Sequence, residues 1–306
     1  MRKKTAVIIF FAVVTAYVFC CSSPLYGEII FDPQAKPHGY YSPVRITFNS
    51  EGNLVVSEYK RGLIVTLDRN TLGVTSWFSI DGKPVAIACV NDYILVGNES
   101  RACLEAYKKN GRKLPLTWAP VEKPVDMTVD TGLKRIFIVD GGQKAVKVFS
   151  YKTKLLYTIP ASPPNNNILA NPTGIALDTQ KREVYVSDYG DQAAGIYARV
   201  QVFDYQGNLT ATISGKQGML GQRFSRPQGL AIDGKGRLLM IDCYSAEIMV
   251  FDLQSGVLIK TFGEYGSEPG QLRLPFDLVF DPVAKEIFVT NNRCSRIEVF
   301  RSTGGL

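Results

Sequence analysis

A single motif recurs six times along this chain, and nothing else in the sequence restricts the fold as tightly. Each copy opens on a proline and runs into a short apolar strand. A turn follows, then a second apolar strand ending in a polar residue, then a third ending in an aromatic. The late copies are clearest. Pro172-Thr-Gly-Ile-Ala-Leu-Asp178 leads to Val184-Tyr-Val-Ser-Asp188 and Arg199-Val-Gln-Val-Phe-Asp204. The same order follows Pro227 and Pro275. Earlier copies begin at Pro43, Pro84 and Pro124, so the spacings are 41, 40, 48, 55 and 48 residues. Short strands repeating with a period of about 40–50 residues are the signature of propeller blades. A hydrophobic fraction of 45% against 21% charged residues supplies enough apolar material for such a core.

The reading is therefore all-β: a six-bladed β-propeller of four-stranded blades. Fourth strands are predicted at Val74–Phe78, Leu116–Trp118, Leu155–Ile159, Leu209–Ile213 and Leu258–Phe262. The sixth repeat ends at the chain terminus without one. Glu28-Ile-Ile-Phe-Asp32 is the candidate to complete it, closing the ring and leaving no open sheet edge. Loss of residues 28–32 is then expected to destabilise the whole domain.

The repeats at Pro172, Pro227 and Pro275 resemble NHL repeats, as do the linkers Gly215–Pro227 and Phe262–Pro275. The likeness is specific in repeats four to six and loose in the first two. Repeat two lacks the glycine and most of the aspartates. The resemblance implies a six-bladed propeller with a ligand-binding face, and it fixes no reaction, because the fold hosts many functions.

Residues 1–27 stand apart as a predicted signal peptide. Arg2, Lys3 and Lys4 precede an apolar run from Ala6 to Phe19, followed by Ser22, Ser23, Pro24 and Gly27. Cleavage could follow Ser23 or Gly27. The run is shorter than the roughly 20 residues of a membrane span. An uncleaved anchor, or lipidation at Cys20 or Cys21, are the other readings and the only routes to a membrane. The expected location is periplasmic, cell-surface or extracellular. The formal charge of +7 falls to +4 without the leader, which carries three basic and no acidic groups. The remaining charge forms no basic stripe, so nucleic-acid binding is not expected.

Aligning the repeats separates shared positions from individual ones. The second strands end in Glu58, Asn98, Asp140, Asp188, Asp242 and Asn291, and most first strands end in Asp or Asn. Side-chain acceptors at every turn point to capping of backbone N–H groups rather than to a ring of catalytic acids. Two residues after the proline the series reads Arg45, Ala86, Asp126, Gly174, Gly229, Asp277. Charge replacing a small residue at the start of an inner strand makes Arg45, Asp126 and Asp277 candidate ligand contacts at the channel mouth. Enlarged segments at Ser162–Asn167 and Tyr189–Tyr197 are expected on the same face, adding Tyr189, Asp191, Tyr197 and Tyr244.

No catalytic set is evident. The single histidine, His38, has no partner in sequence. Propellers resembling the peptidyl amidating lyases hold zinc through several histidines, which this chain lacks. Asp126, Asp277 and Asn98 could offer oxygens to Ca²⁺ if they converged. A disulfide between Cys243 and Cys294 would staple blades five and six. Cys89 and Cys103 should lie two strands apart, too far to bridge, and are expected as buried thiols. The functional expectation is an exported binding or scaffold protein holding a protein, peptide or glycan. A calcium-type hydrolase or lyase acting at the channel mouth is the alternative.

Overall fold

The computed structural model describes residues 26–27, 42–161, 169–215 and 224–301. These form six small antiparallel sheets. Five are four-stranded and follow the repeats. Blade one comprises Pro43–Phe48, Leu54–Glu58, Leu63–Leu67 and Val74–Ser79. Blades three, four and five open on Pro124–Asp130, Pro172–Asp178 and Pro227–Asp233 and run outward in chain order. The first strand of each blade packs on that of the next, and Pro275–Asp281 of blade six packs on Pro43–Phe48 of blade one, so the ring is closed.

Period-two alternation explains why the blades stack. In blade three Ile136 and Ile138 face blade two, whereas Phe137 and Val139 face blade four. Each sheet is thus apolar on both faces, and the core divides into six clusters, one per seam between blades. Each seam also holds an aromatic pair. Phe48–Phe288 closes the ring between blades one and six with centroids 6.0 Å apart, and Phe137–Tyr205 joins blades three and four at 5.1 Å. Such pairs contribute about 0.5–1.5 kcal/mol beyond the area they bury.

Blade six is completed by the N-terminal side of the chain, as closure requires. The segment is Tyr26–Gly27, antiparallel to Arg296–Arg301, with Tyr26 opposite Phe300 and Gly27 opposite Val299. The predicted strand 28–32 lies outside the described residues.

Blade two departs from expectation: it has three strands, and Leu116–Trp118 is not a fourth. The chain touches the edge of Cys103–Lys108 through one bridge, Tyr107 with Lys113, and through Leu114 N donating to Ala106 O at 2.8 Å. Pro115 and Pro120 then remove the N–H groups a ladder needs. Trp118 instead packs edge-on against Phe149 of blade three, sealing that seam. The other four predicted outer strands form within a residue of their expected ends.

Candidate functional site

The repeated acids are bound to backbone, as the turn-capping reading requires. Asp140 accepts from the amides of Glu122, Lys123, Gly142 and Gln143, and Asp188 from Ala170, Asn171 and Gly190. Asp140, Asp188 and Asp242 each fasten both the incoming linker and the turn after their own strand, whereas among the described residues Glu58 caps its turn alone. At the far ends of the first strands, Asp178, Asp233 and Asp281 cap the next turn in the same way. The two asparagines in the series have a reason. Asn98 donates to Glu105 at 2.9 Å and Asn291 to Glu298 at 3.1 Å, where an aspartate would meet a second carboxylate. In blade three the equivalent neighbour is Lys147, and the series reads Asp140.

The site at the axis begins with a backbone irregularity. In every blade the register of the first strand against the second shifts just after the proline. A bulge of this kind releases one carbonyl from the ladder and re-aims a side chain. The residues there are Val44, Val85, Val125, Thr173, Gln228 and Phe276. All but Thr173 line a funnel of about 710 Å³ on the face that carries the linkers and the turns after the second strands. Arg45 forms part of its floor. Lys60, Lys123, Arg293, Tyr59 and Glu99 stand around it.

Arg45 is buried at 3% exposure and ties five blades together. From blade one, its Nε donates to Val85 O at 3.1 Å and Val125 O at 3.2 Å. Its Nη2 donates to Val125 O at 2.8 Å and to Thr173 O at 2.7 Å. These are the carbonyls that the bulges of blades two, three and four release. Its Nη1 lies 3.4 Å from Asp126 Oδ2 and 3.8 Å from Asp277 Oδ1. The carboxylates reach onward: Asp126 accepts from Ile175 N at 3.0 Å in blade four, and Asp277 from Ile46 N at 3.0 Å in blade one. A planar guanidinium with five donors suits this role, since a lysine could not serve three carbonyls and two carboxylates from one position.

One buried cation between two buried carboxylates leaves an excess of negative charge. Burial pushes both carboxyl groups up from their ordinary range. For Asp277 the charge of Asp126 adds to that effect, Arg45 opposes it, and the group reaches about 8.

Arg45, Asp126 and Asp277 thus converge, although they come from blades one, three and six. Arg45 faces the funnel, whereas Asp126 and Asp277 sit behind it and are not among its lining residues. The other candidates lie elsewhere on the face. Tyr189, Asp191 and Tyr244 border a second hollow of about 510 Å³ with Asn171 and Arg226, whose guanidinium covers the Tyr189 ring at 5.3 Å. Asp191 caps the short helical turn Gln192–Ala194. Tyr197 is 40% exposed and does not border that hollow. Ser162–Asn167 and His38 lie outside the described residues.

Two chemical expectations change. Cys243 and Cys294 form no disulfide, and both are free thiols. Cys243 packs into the apolar seam with Ala246, Ile248 and Leu272, where burial pushes its thiol up to about 11. Cys294 points to the linker instead, with Sγ 3.7 Å from Gly266 O. Cys89 and Cys103 are also free, and each is partly rather than fully buried. The calcium set does not assemble. Asn98 is committed to Asp81 O, Glu105 and the Lys83 amide, and Asp126 and Asp277 face Arg45. Among the described residues no three His, Cys, Asp or Glu side chains cluster as metal ligands. No helix among them is long and apolar enough to cross a membrane.

The position directly after the proline, together with Lys60, Lys123 and Arg293, was not legible as a site in the sequence. The available signal was the variety of that position, where an amide and an aromatic stand among valines, next to the series that holds Arg45, Asp126 and Asp277.

No family model matches the chain, and no curated protein matches it. Among solved structures the chain is similar to one of Kuenenia stuttgartiensis hydrazine synthase, with a TM-score of 0.62 and 12% identity over 91% of this chain and 100% of that one. At that identity the likeness concerns the fold alone.

Proposed function

We propose that this chain is an exported, NHL-type binding propeller that holds a protein, peptide or glycan ligand on its loop-rich face, with the axial funnel as the seat. The funnel carries the reading. It is of ligand size, its walls are largely apolar, and its floor is closed by a guanidinium that the fold itself holds in place. Concave apolar sites with a few fixed polar groups are where rigid rings usually bind. Export is supported by the leader pattern of Arg2–Lys4 followed by Ala6–Phe19. The metal-assisted hydrolase reading is less well supported, because a cation between Asp126 and Asp277 would have to displace Arg45.

The test compares the mature protein with Val125→Trp, which fills the funnel from a partly exposed wall position. Cross-linked partners recovered from the native envelope or medium should be identified by mass spectrometry and then rebound as purified components. Binding of a purified partner lost in Val125→Trp, at unchanged thermal stability, is the expected result. Turnover of a small substrate that is lost in the same variant would replace the binding role with an enzymatic one.

A further inference from the structure

Three cations stand around the funnel without a carboxylate partner among the described residues: Lys60, Lys123 and Arg293. Some exposed cations elsewhere on the surface are paired, whereas others such as Lys134, Lys144 and Lys285 meet no carboxylate among the described residues. Arg101 meets Asp81, Lys108 meets Asp92, Lys109 meets Glu51, and Arg301 meets Glu286. The one acid at the funnel, Glu99, already accepts from Tyr59 Oη at 2.8 Å. The funnel therefore carries more cations than acids along its lining.

Below that surplus the walls are Val44, Val85, Val125 and Phe276, with Gln228 buried among them at 6% exposure. No hydrogen bond of the Gln228 side chain is present among the described residues. The combination is an apolar well with one amide inside it and positive charge around it.

We propose that the funnel takes an acidic peptide segment that inserts an apolar side chain, a proposal that rests on the funnel being the binding seat. The anchor displaces water from the valine and phenylalanine walls, where recognition energy concentrates in a central desolvated pocket. The acidic residues flanking it face Lys60, Lys123 and Arg293, which speed encounter and exclude basic sequences. A peptide backbone passing over the well can engage the Gln228 amide. A glycan fits less well, because its hydroxyls would surrender water hydrogen bonds against valine walls that return none.

A phage-displayed random peptide library panned on the mature protein, with counter-selection on Val125→Trp, tests this. The expected enrichment is an apolar residue flanked by two or more Asp or Glu. The corresponding synthetic peptide should bind on the order of tenfold or more weakly to the triple variant Lys60→Glu/Lys123→Glu/Arg293→Glu, and more weakly in high salt. Thermal unfolding of each variant separates a lost site from a lost fold. Neutral or basic peptides that Val125→Trp no longer binds, or glycan-array binding lost in that variant, would overturn the acidic-peptide assignment while leaving the funnel as the seat. Peptides bound equally by wild type and Val125→Trp, or no enrichment at all, would overturn both.

Discussion

Arg45 occupies a position where blades two, four and five carry alanine or glycine, and its surroundings set two consequences for stability. An Arg45→Met variant leaves two buried carboxyl groups without their cation and three bulge carbonyls without a donor. Breaking one partner of a buried ionic set typically costs about 3–5 kcal/mol, so a loss of that size is expected in denaturant unfolding. The second consequence concerns pH. The carboxyl of Asp277 rises to about 8 in the folded protein, against about 3.9 in an unfolded chain. The folded state therefore keeps a proton that the unfolded state releases. Its contribution is fully present below about pH 4 and is lost as pH rises through 8, with a slope of at most about 1.4 kcal/mol per pH unit. Lowered carboxyls such as Asp140 titrate below this window and contribute no slope in it. Unfolding midpoints measured from pH 5 to 7.5 should fall for wild type and stay flatter for Asp277→Asn, whose amide resembles the protonated acid. Equal slopes would show that the proton held by the Asp126–Asp277 pair does not sit on Asp277. The sequence revealed these three residues because they break a series of small ones. It did not reveal that they face each other more than the solvent, since that depends on the bulge, which turns the preceding residue into the funnel while Asp126 and Asp277 sit behind it.

At the scale of elements, periodicity and turn chemistry located nearly every strand, because each blade repeats the same alternation and the same capped turns. The failures are places where one local feature outweighed the repeat. Two prolines deprive blade two of its outer strand, and the tryptophan counted as part of that strand serves the neighbouring seam. Closure from the N-terminal side was legible from the missing strand of blade six; the pairing among the described residues is at Tyr26–Gly27, and the expected strand 28–32 lies outside them. An apolar run such as Ile29–Phe31 signals a strand more strongly than Tyr26–Gly27 does. The distinction is measurable, and it bears on processing, because cleavage after Gly27 would remove the observed pairing and cleavage after Ser23 would keep it. A chain beginning at Pro24 should be more stable than one beginning at Glu28. The expected difference is about 1–3 kcal/mol for the loss of two or so ladder hydrogen bonds. Identical unfolding curves for the two would instead assign closure to residues beyond Gly27.

For the whole ring, the inner strands must meet around one axis, and what each contributes there has to sum to the space available. Blade one contributes a full arginine, and blades four and five compensate with nothing. A Cβ on Gly174 would stand 2.3 Å from Gln228 O, and one on Gly229 would stand 2.4 Å from Asp277 Oδ1 and 2.6 Å from Asp277 Cα. The obstructing atoms include backbone of the next blade, so no rotamer change relieves them. A closed ring also cannot widen one seam without straining the others, because blade six is held both to blade one at the axis and to the N-terminal strand at its edge. Overpacking of this kind costs about 1–3 kcal/mol. Gly234 provides the control, since its Cβ would meet nothing within 4 Å and its backbone is not in the left-handed region. Gly234→Ala should therefore be neutral or stabilise by up to about 1 kcal/mol, through the unfolded chain. Gly229→Ala should lower the unfolding midpoint clearly, and it should do so partly through the axis. Pushing Asp277 aside weakens the same contact with Arg45 that Asp277→Asn weakens, so the two changes should be less than additive in a double-mutant cycle. Strict additivity would mean that the seam between blades five and six and the Arg45 hub are independent, and that the ring accommodates its arginine blade by blade rather than as a whole.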